Sequence, residues 1–123
     1  MSVFENRLVW LNGPFPASRH DITIFREDGL LDQMPAGHLA IADKGYRGEP
    51  NVVATANSRD REPVRALKGV ARARQESFNA RIKVFKCLDE RFRHQLKKHK
   101  VAVEAVCVIV QYQLENGSPL FSV

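Results

Sequence analysis

Apolar positions fall into several short runs and one long periodic stretch. Val3, Leu8, Val9, Trp10 and Leu11 form a β-prone run that ends at Asn12-Gly13-Pro14, where glycine and proline punctuate, so Ser2 to Leu11 predicts a strand. After the loop Gly13 to Arg19, the grouping Ile22, Ile24, Phe25, Leu30 and Leu31 predicts a short helix, with Asp21 or Ser18 as its N-cap. Pro35-Ala36-Gly37 closes it. Leu39-Ala40-Ile41-Ala42 is too short for a helix and predicts a buried strand that delivers Asp43 at its end. Asn51 to Ala56 suggests one more short strand, and Pro63 sits where the first turn of a long helix tolerates it. Beyond it, Phe78, Ile82, Phe85, Leu88, Phe92 and Leu96 recur at intervals of 4, 3, 3, 4 and 4, the rhythm of a helix with one face inward. Val101 to Leu114 has the β-branched density of a strand but the length of a helix, and we read it as a buried helix. The alternation of strands and helices gives an α/β class, a short sheet followed by a long basic helix and a second, buried one.

At 123 residues and 44% hydrophobic the chain has room for one domain, residues 1–115, with 116–123 as a frayed tail carrying Gly117 and Pro119. Cys87 and Cys107 have no disulfide rhythm, and Met1 to Asn6 is not a charged-then-apolar leader, so reduced thiols and an intracellular setting are expected. That setting is the nucleus in a eukaryote and the cytoplasm in a bacterium. The longest apolar stretch falls short of the roughly 20 residues a bilayer span needs, which argues against a membrane protein. The formal charge is +5, but its distribution says more: Ser58 to Lys100 holds 14 of the 19 basic residues and 5 of the 14 acidic ones. Such a basic segment is either a nucleic-acid contact face or a solvated helix surface.

Two carboxylates stand out by context. Asp43 lies just past an apolar strand, where open α/β sheets gather their ligands, although Asp-Lys-Gly-Tyr also reads as a plain turn. Glu76 has Arg72 four residues before it and Lys83 seven after it, which places all three near one helical face. That stripe is a salt-bridge ladder or a metal-binding acid between two phosphate-contacting cations. The histidines His20, His38, His94 and His99 have no zinc-site spacing; His20 is expected at the helix start, His94 and His99 in solvent. Tyr46 is expected to pack at the strand end rather than act as a nucleophile.

These residues carry a resemblance to the DDE superfamily of transposases and related endonucleases, especially Harbinger-type and bacterial insertion-sequence enzymes. Three stretches carry it: Leu8-Val9-Trp10-Leu11-Asn12-Gly13-Pro14-Phe15-Pro16-Ala17-Ser18-Arg19-His20-Asp21 through Ile24-Phe25-Arg26, then Ile41-Ala42-Asp43-Lys44-Gly45-Tyr46, then Arg72 to Lys83 with the spacing R-x3-E-x6-K. It runs from about Arg7 to about Gln113. The resemblance implies a partial ribonuclease H-like fold and metal-dependent DNA strand cleavage and transfer, as in transposition and DNA recombination. It makes Asp43 the second catalytic acid and Glu76 the third. Both would bind Mg²⁺ or Mn²⁺, with Arg72 and Lys83 against DNA phosphates.

The chain departs from the family in two ways. No Asp precedes Asp21, which the resemblance assigns to the helix start rather than to the first acid, and Gly69 stands where a Tyr often lies three positions before the Arg. The expectation is therefore a truncated catalytic core that binds metal weakly and does not cleave DNA alone, its first acid supplied upstream or by a complementing chain. An unpaired edge on the Val3 to Leu11 strand would favour self-association. The competing readings are a non-catalytic basic nucleic-acid-binding module and an interaction protein built on the amphipathic helix.

Overall fold

The computed structural model describes residues 1–122 apart from 3, 16, 17, 43, 47, 51, 55–57 and 90–94, together with the backbone alone at 44, 53 and 54. Helix α1 (Asp21–Glu27) starts at His20, whose carbonyl accepts from the amides of Thr23 at 3.0 Å and Ile24 at 3.2 Å. Neither Ser18 nor Asp21 is the cap. His20 occupies that position without a side-chain bond, and Asp21 falls inside the first turn, where the helix dipole favours a carboxylate. Helix α2 (Leu30–Gln33) follows at once, because Gly29 adopts φ 86°, a left-handed turn that suits glycine, and Asp28 Oδ1 accepts from the Leu30 amide at 2.9 Å. Strands β1 (Ala40–Ala42) and β2 (Val52–Ala54) pair in parallel, Ala40 opposite Val52 and Ala42 opposite Ala54. Strand β1 is half-buried rather than buried. A 3₁₀ turn (Lys44–Tyr46) lies between them, and the Tyr46 ring meets Phe25 of α1 edge-on at 5.5 Å. Tyr46 thus packs as expected.

The long helix is α3 (Glu62–Lys83), with Pro63 in its first turn, where the missing amide breaks no helical bond. It does not continue to Leu96. The amides of Val84 and Phe85 bond three residues back, to Arg81 and Ile82, so the chain tightens before α4 (Lys86–Asp89), and α5 (Leu96–Glu115) opens afresh. The reason lies in the spacing: Ile82, Phe85 and Leu88 recur every three residues, the period of a 3₁₀ turn, so tightening keeps all three against the core. Phe92 lies outside the described residues. Among those described, no helix is long and apolar enough to cross a membrane.

The chain divides into two compact units, residues 15–72 and residues 1–14 with 73–123. In the latter the core joins Phe78 of α3 to Val106, Cys107, Val110 and Leu114 of α5, with Val110 fully buried. Burial pushes the Cys107 thiol above its ordinary range, and neither cysteine forms a disulfide. Helix α5 settles the ambiguity of 101–114, although it is buried on one face and not all round, since Val101, Val108 and Tyr112 are exposed.

The largest departure is at the two ends. The described residues of 1–11 form no strand: the Arg7 carbonyl accepts from the Ser2 amide at 3.0 Å, the Glu5 carbonyl accepts from the Arg7 amide at 2.8 Å, and Val9 and Leu11 are exposed. The proposed sheet edge, and self-association through it, therefore falls. Side chains take over the pairing that a neighbouring strand would give. Gln111 Oε1 accepts from the Leu8 amide at 2.8 Å, and Asn6 Nδ2 donates to the Phe121 carbonyl at 2.9 Å while Asn6 Oδ1 accepts from the Leu120 amide at 2.8 Å. Nor is the C-terminal segment frayed. Gly117, at φ 95°, lets the Ser118 amide reach back to the Gln113 carbonyl at 3.0 Å, a glycine-closed helix end that turns the chain toward Asn6 and seats Leu120 on the core. Replacing Asn6 by Ala removes these side-chain bonds, and that from the Phe121 amide to Asn6 Oδ1, from part-buried backbone and is expected to cost about 1 to 3 kcal/mol. Urea unfolding gives the cost, and hydrogen exchange at the Leu120 amide should accelerate in the variant.

Candidate nucleic-acid and metal site

Helix α3 carries Arg72, Glu76 and Lys83, and all three are exposed. With about 1.5 Å of rise per residue, Arg72 lies roughly 6 Å before Glu76 along the axis and Lys83 roughly 10 Å after it. Four and seven residues are close to one and two full turns, so the cation, the carboxylate and the second cation share one stripe. The neighbouring positions hold the helix rather than the stripe: Gln75 Nε2 donates to Asn79 Oδ1 at 3.1 Å, and Ser77 Oγ donates to the Ala73 carbonyl at 2.9 Å. A Cβ built on Gly69 meets nothing within 4 Å, so that position, one turn before Arg72, is open to solvent.

Asp43, the residue after β1, lies outside the described residues, as do His94 and Arg91. Among the described residues no three His, Cys, Asp or Glu side chains come together in a way that could hold a metal ion. Glu76 supplies a hard oxygen donor of the type Mg²⁺ or Mn²⁺ prefers, but the described carboxylates do not by themselves make an ion cage. His20 and His38 are exposed, and His99, expected in solvent, is half-buried at the start of α5.

The basic segment is not one solvated face. Lys68 is buried and its Nζ lies 2.9 Å from Asp60 Oδ2; the Arg74 guanidinium stacks 3.5 Å from the Phe121 ring centre; Arg81 donates to the Ser118 carbonyl. These three cations serve the fold. Their positions could have been found, because Lys68 is ten residues from Phe78 and three from buried Ala71, while Arg74 and Arg81 flank Phe78 at four and three residues. Each therefore borders the inward stripe, and long cationic side chains commonly pack their stems there. Elsewhere Arg26 Nε donates to Glu49 Oε1 at 2.8 Å, and that bond together with the Glu49 charge raises the already high pKa of Arg26. Arg19 pairs with Glu27 and lies over the Phe15 ring. Both arginines of the 19–26 stretch that carried part of the resemblance are thus paired with carboxylates elsewhere in the chain.

A model of the DDE superfamily endonuclease family matches residues 5–111. The chain belongs to the DDE superfamily endonucleases. No curated protein and no solved structure matches it. Within this DDE superfamily endonuclease, the Arg72, Glu76 and Lys83 stripe lies inside the matched segment and on a single helix.

The pair made by buried Lys68 of this helix and half-buried Asp60 just before it can be tested apart from any activity. Lys68→Ala takes the Lys68 cation away from half-buried Asp60 and is expected to cost about 1 to 3 kcal/mol, whereas Lys68→Met with Asp60→Asn removes both charges and should lie much nearer the parent. Urea unfolding of the two variants separates loss of this ion pair from lost packing.

Proposed function

We propose that this chain is part of the catalytic domain of a DDE-type transposase or endonuclease, built on a ribonuclease H-like core, in which Asp43 is the second metal-binding acid and Glu76 the third. Arg72 and Lys83 hold DNA phosphates on either side of Glu76. The observation that carries the reading is the coincidence of the family match over 5–111 with an exposed Arg-Glu-Lys stripe on the unbroken helix α3. Cations in such a row position a phosphate backbone without reading its sequence. A divalent ion bound by the two carboxylates would supply charge stabilisation for the attacking and departing oxygens. Residues 1–20 contain no Asp, so the first acid comes from another segment or another chain, and the residues present bind Mg²⁺ or Mn²⁺ weakly. The protein works on DNA inside the cell, in the nucleus of a eukaryote or the cytoplasm of a bacterium.

Two titrations of the full chain test this. In the first, Mn²⁺ binding followed by electron paramagnetic resonance should weaken at least about tenfold in Asp43→Asn and in Glu76→Gln, each of which removes one charged donor. In the second, binding of a short DNA duplex followed by anisotropy should weaken in Arg72→Ala and Lys83→Ala, each lowering the salt slope by about one. DNA binding that ignores metal and both acids would instead favour the non-catalytic basic module. Metal-dependent nicking by the purified chain, lost in Glu76→Gln, would overturn the expectation that the site is incomplete.

A further inference from the structure

Helix α5 has a second apolar face. Opposite the buried Val106, Cys107, Val110 and Leu114, it presents Val101 at 62% exposure, Val108 at 69% and Tyr112 at 66%, with exposed Ala105 between them. Positions 101, 105, 108 and 112 are spaced 4, 3 and 4, a mean of about 3.7 residues, close to one turn of the helix per step, so the four side chains stand in one narrow stripe along it. One further step of the same repeat reaches Lys98 at one end and Glu115 at the other.

This row reads the same in either direction. When it is reversed about its midpoint, Val101 falls on Tyr112, Ala105 on Val108 and Lys98 on Glu115. A second copy of α5 laid antiparallel on the first therefore sets apolar side chains against apolar ones, with the small Ala105 leaving room for the branched Val108. It also places a Lys opposite a Glu at each end. A parallel copy would set Lys98 beside Lys98 and Glu115 beside Glu115. Gln111 Nε2 donates to Glu115 Oε1 at 2.7 Å, which holds that carboxylate in place at the end of the helix, and Lys100 with Glu104, 3.8 Å apart, flanks the row. We infer that α5 is a homodimer face on which two copies of this chain pair antiparallel through Val101, Ala105, Val108 and Tyr112, with reciprocal Lys98 and Glu115 contacts.

The row spans three turns, about 16 Å, and a contact of that size belongs with the small, transient interfaces, so a Kd on the order of 100 μM is expected. Sedimentation equilibrium of the full chain from about 10 μM to about 1 mM brackets that value and should show a monomer–dimer equilibrium. Val108→Lys, at a site exposed in the monomer, should weaken it at least about tenfold while the thermal melt of the dilute protein stays unchanged. Lys98→Glu and Glu115→Lys should each weaken it about threefold or more, and the double exchange should restore it, because only the antiparallel register faces those two positions. A monomer throughout the range overturns the proposal, as does a dimer indifferent to Val108→Lys. Single exchanges without effect, or a double exchange that fails to restore pairing, overturn the antiparallel register. None of these outcomes bears on Asp43 or Glu76, so this inference and the proposed function stand or fall separately.

Discussion

An irregular chain end laid along a helix has backbone amides and carbonyls that no ladder satisfies, and meeting them is the condition on which one of the two units rests. Asn6 and Gln111 meet it. A side-chain amide carries a donor and an acceptor on one plane, so Asn6 can bond both the amide of Leu120 and the carbonyl of Phe121, as a paired strand residue would. Gln111 does the same work from the helix, accepting from the Leu8 amide and donating to the Asn6 carbonyl. With those bonds in place, Met1, Leu8 and Leu120 can lie against the Phe78 and Val110 core without leaving backbone groups buried and unmet. The arrangement replaces a sheet edge by two amides.

That substitution explains most of what sequence reading could and could not anticipate. Local signals were reliable at Pro63, at the start of a long helix, and in the short apolar runs within which β1 and β2 form, whereas the single helix expected through Ile22 to Leu31 is broken at Gly29 into α1 and α2. The β-prone residues 8–11 misled because a strand needs a partner, and propensity does not reveal one. The regular apolar spacing from 78 to 96 also concealed a break, since intervals of three fit a 3₁₀ turn as well as an α-helix. Charge was the least transparent signal. Counting cations along 58–100 showed where they concentrate, and spacing to Phe78 marks Lys68, Arg74 and Arg81 as bordering the inward stripe, but their partners Asp60, Phe121 and Ser118 emerge only from the packing.

The candidate site was legible in a different sense. A spacing such as R-x3-E-x6-K has geometric content only if one helix runs through it, and α3 does so from Glu62 to Lys83. The helix also separates two kinds of cation by angle around its axis. Those bordering Phe78 are drawn into the fold, while Arg72 and Lys83 keep an exposed carboxylate between them. Membership in the DDE superfamily endonucleases gives that exposed row a chemical context, which a basic helix alone would lack.

The clasp of Asn6 on residues 120 and 121 has a topological consequence. The segments around residue 6 and around residues 120 and 121 lie side by side, so positions more than a hundred residues apart in the sequence are neighbours held by a single side chain.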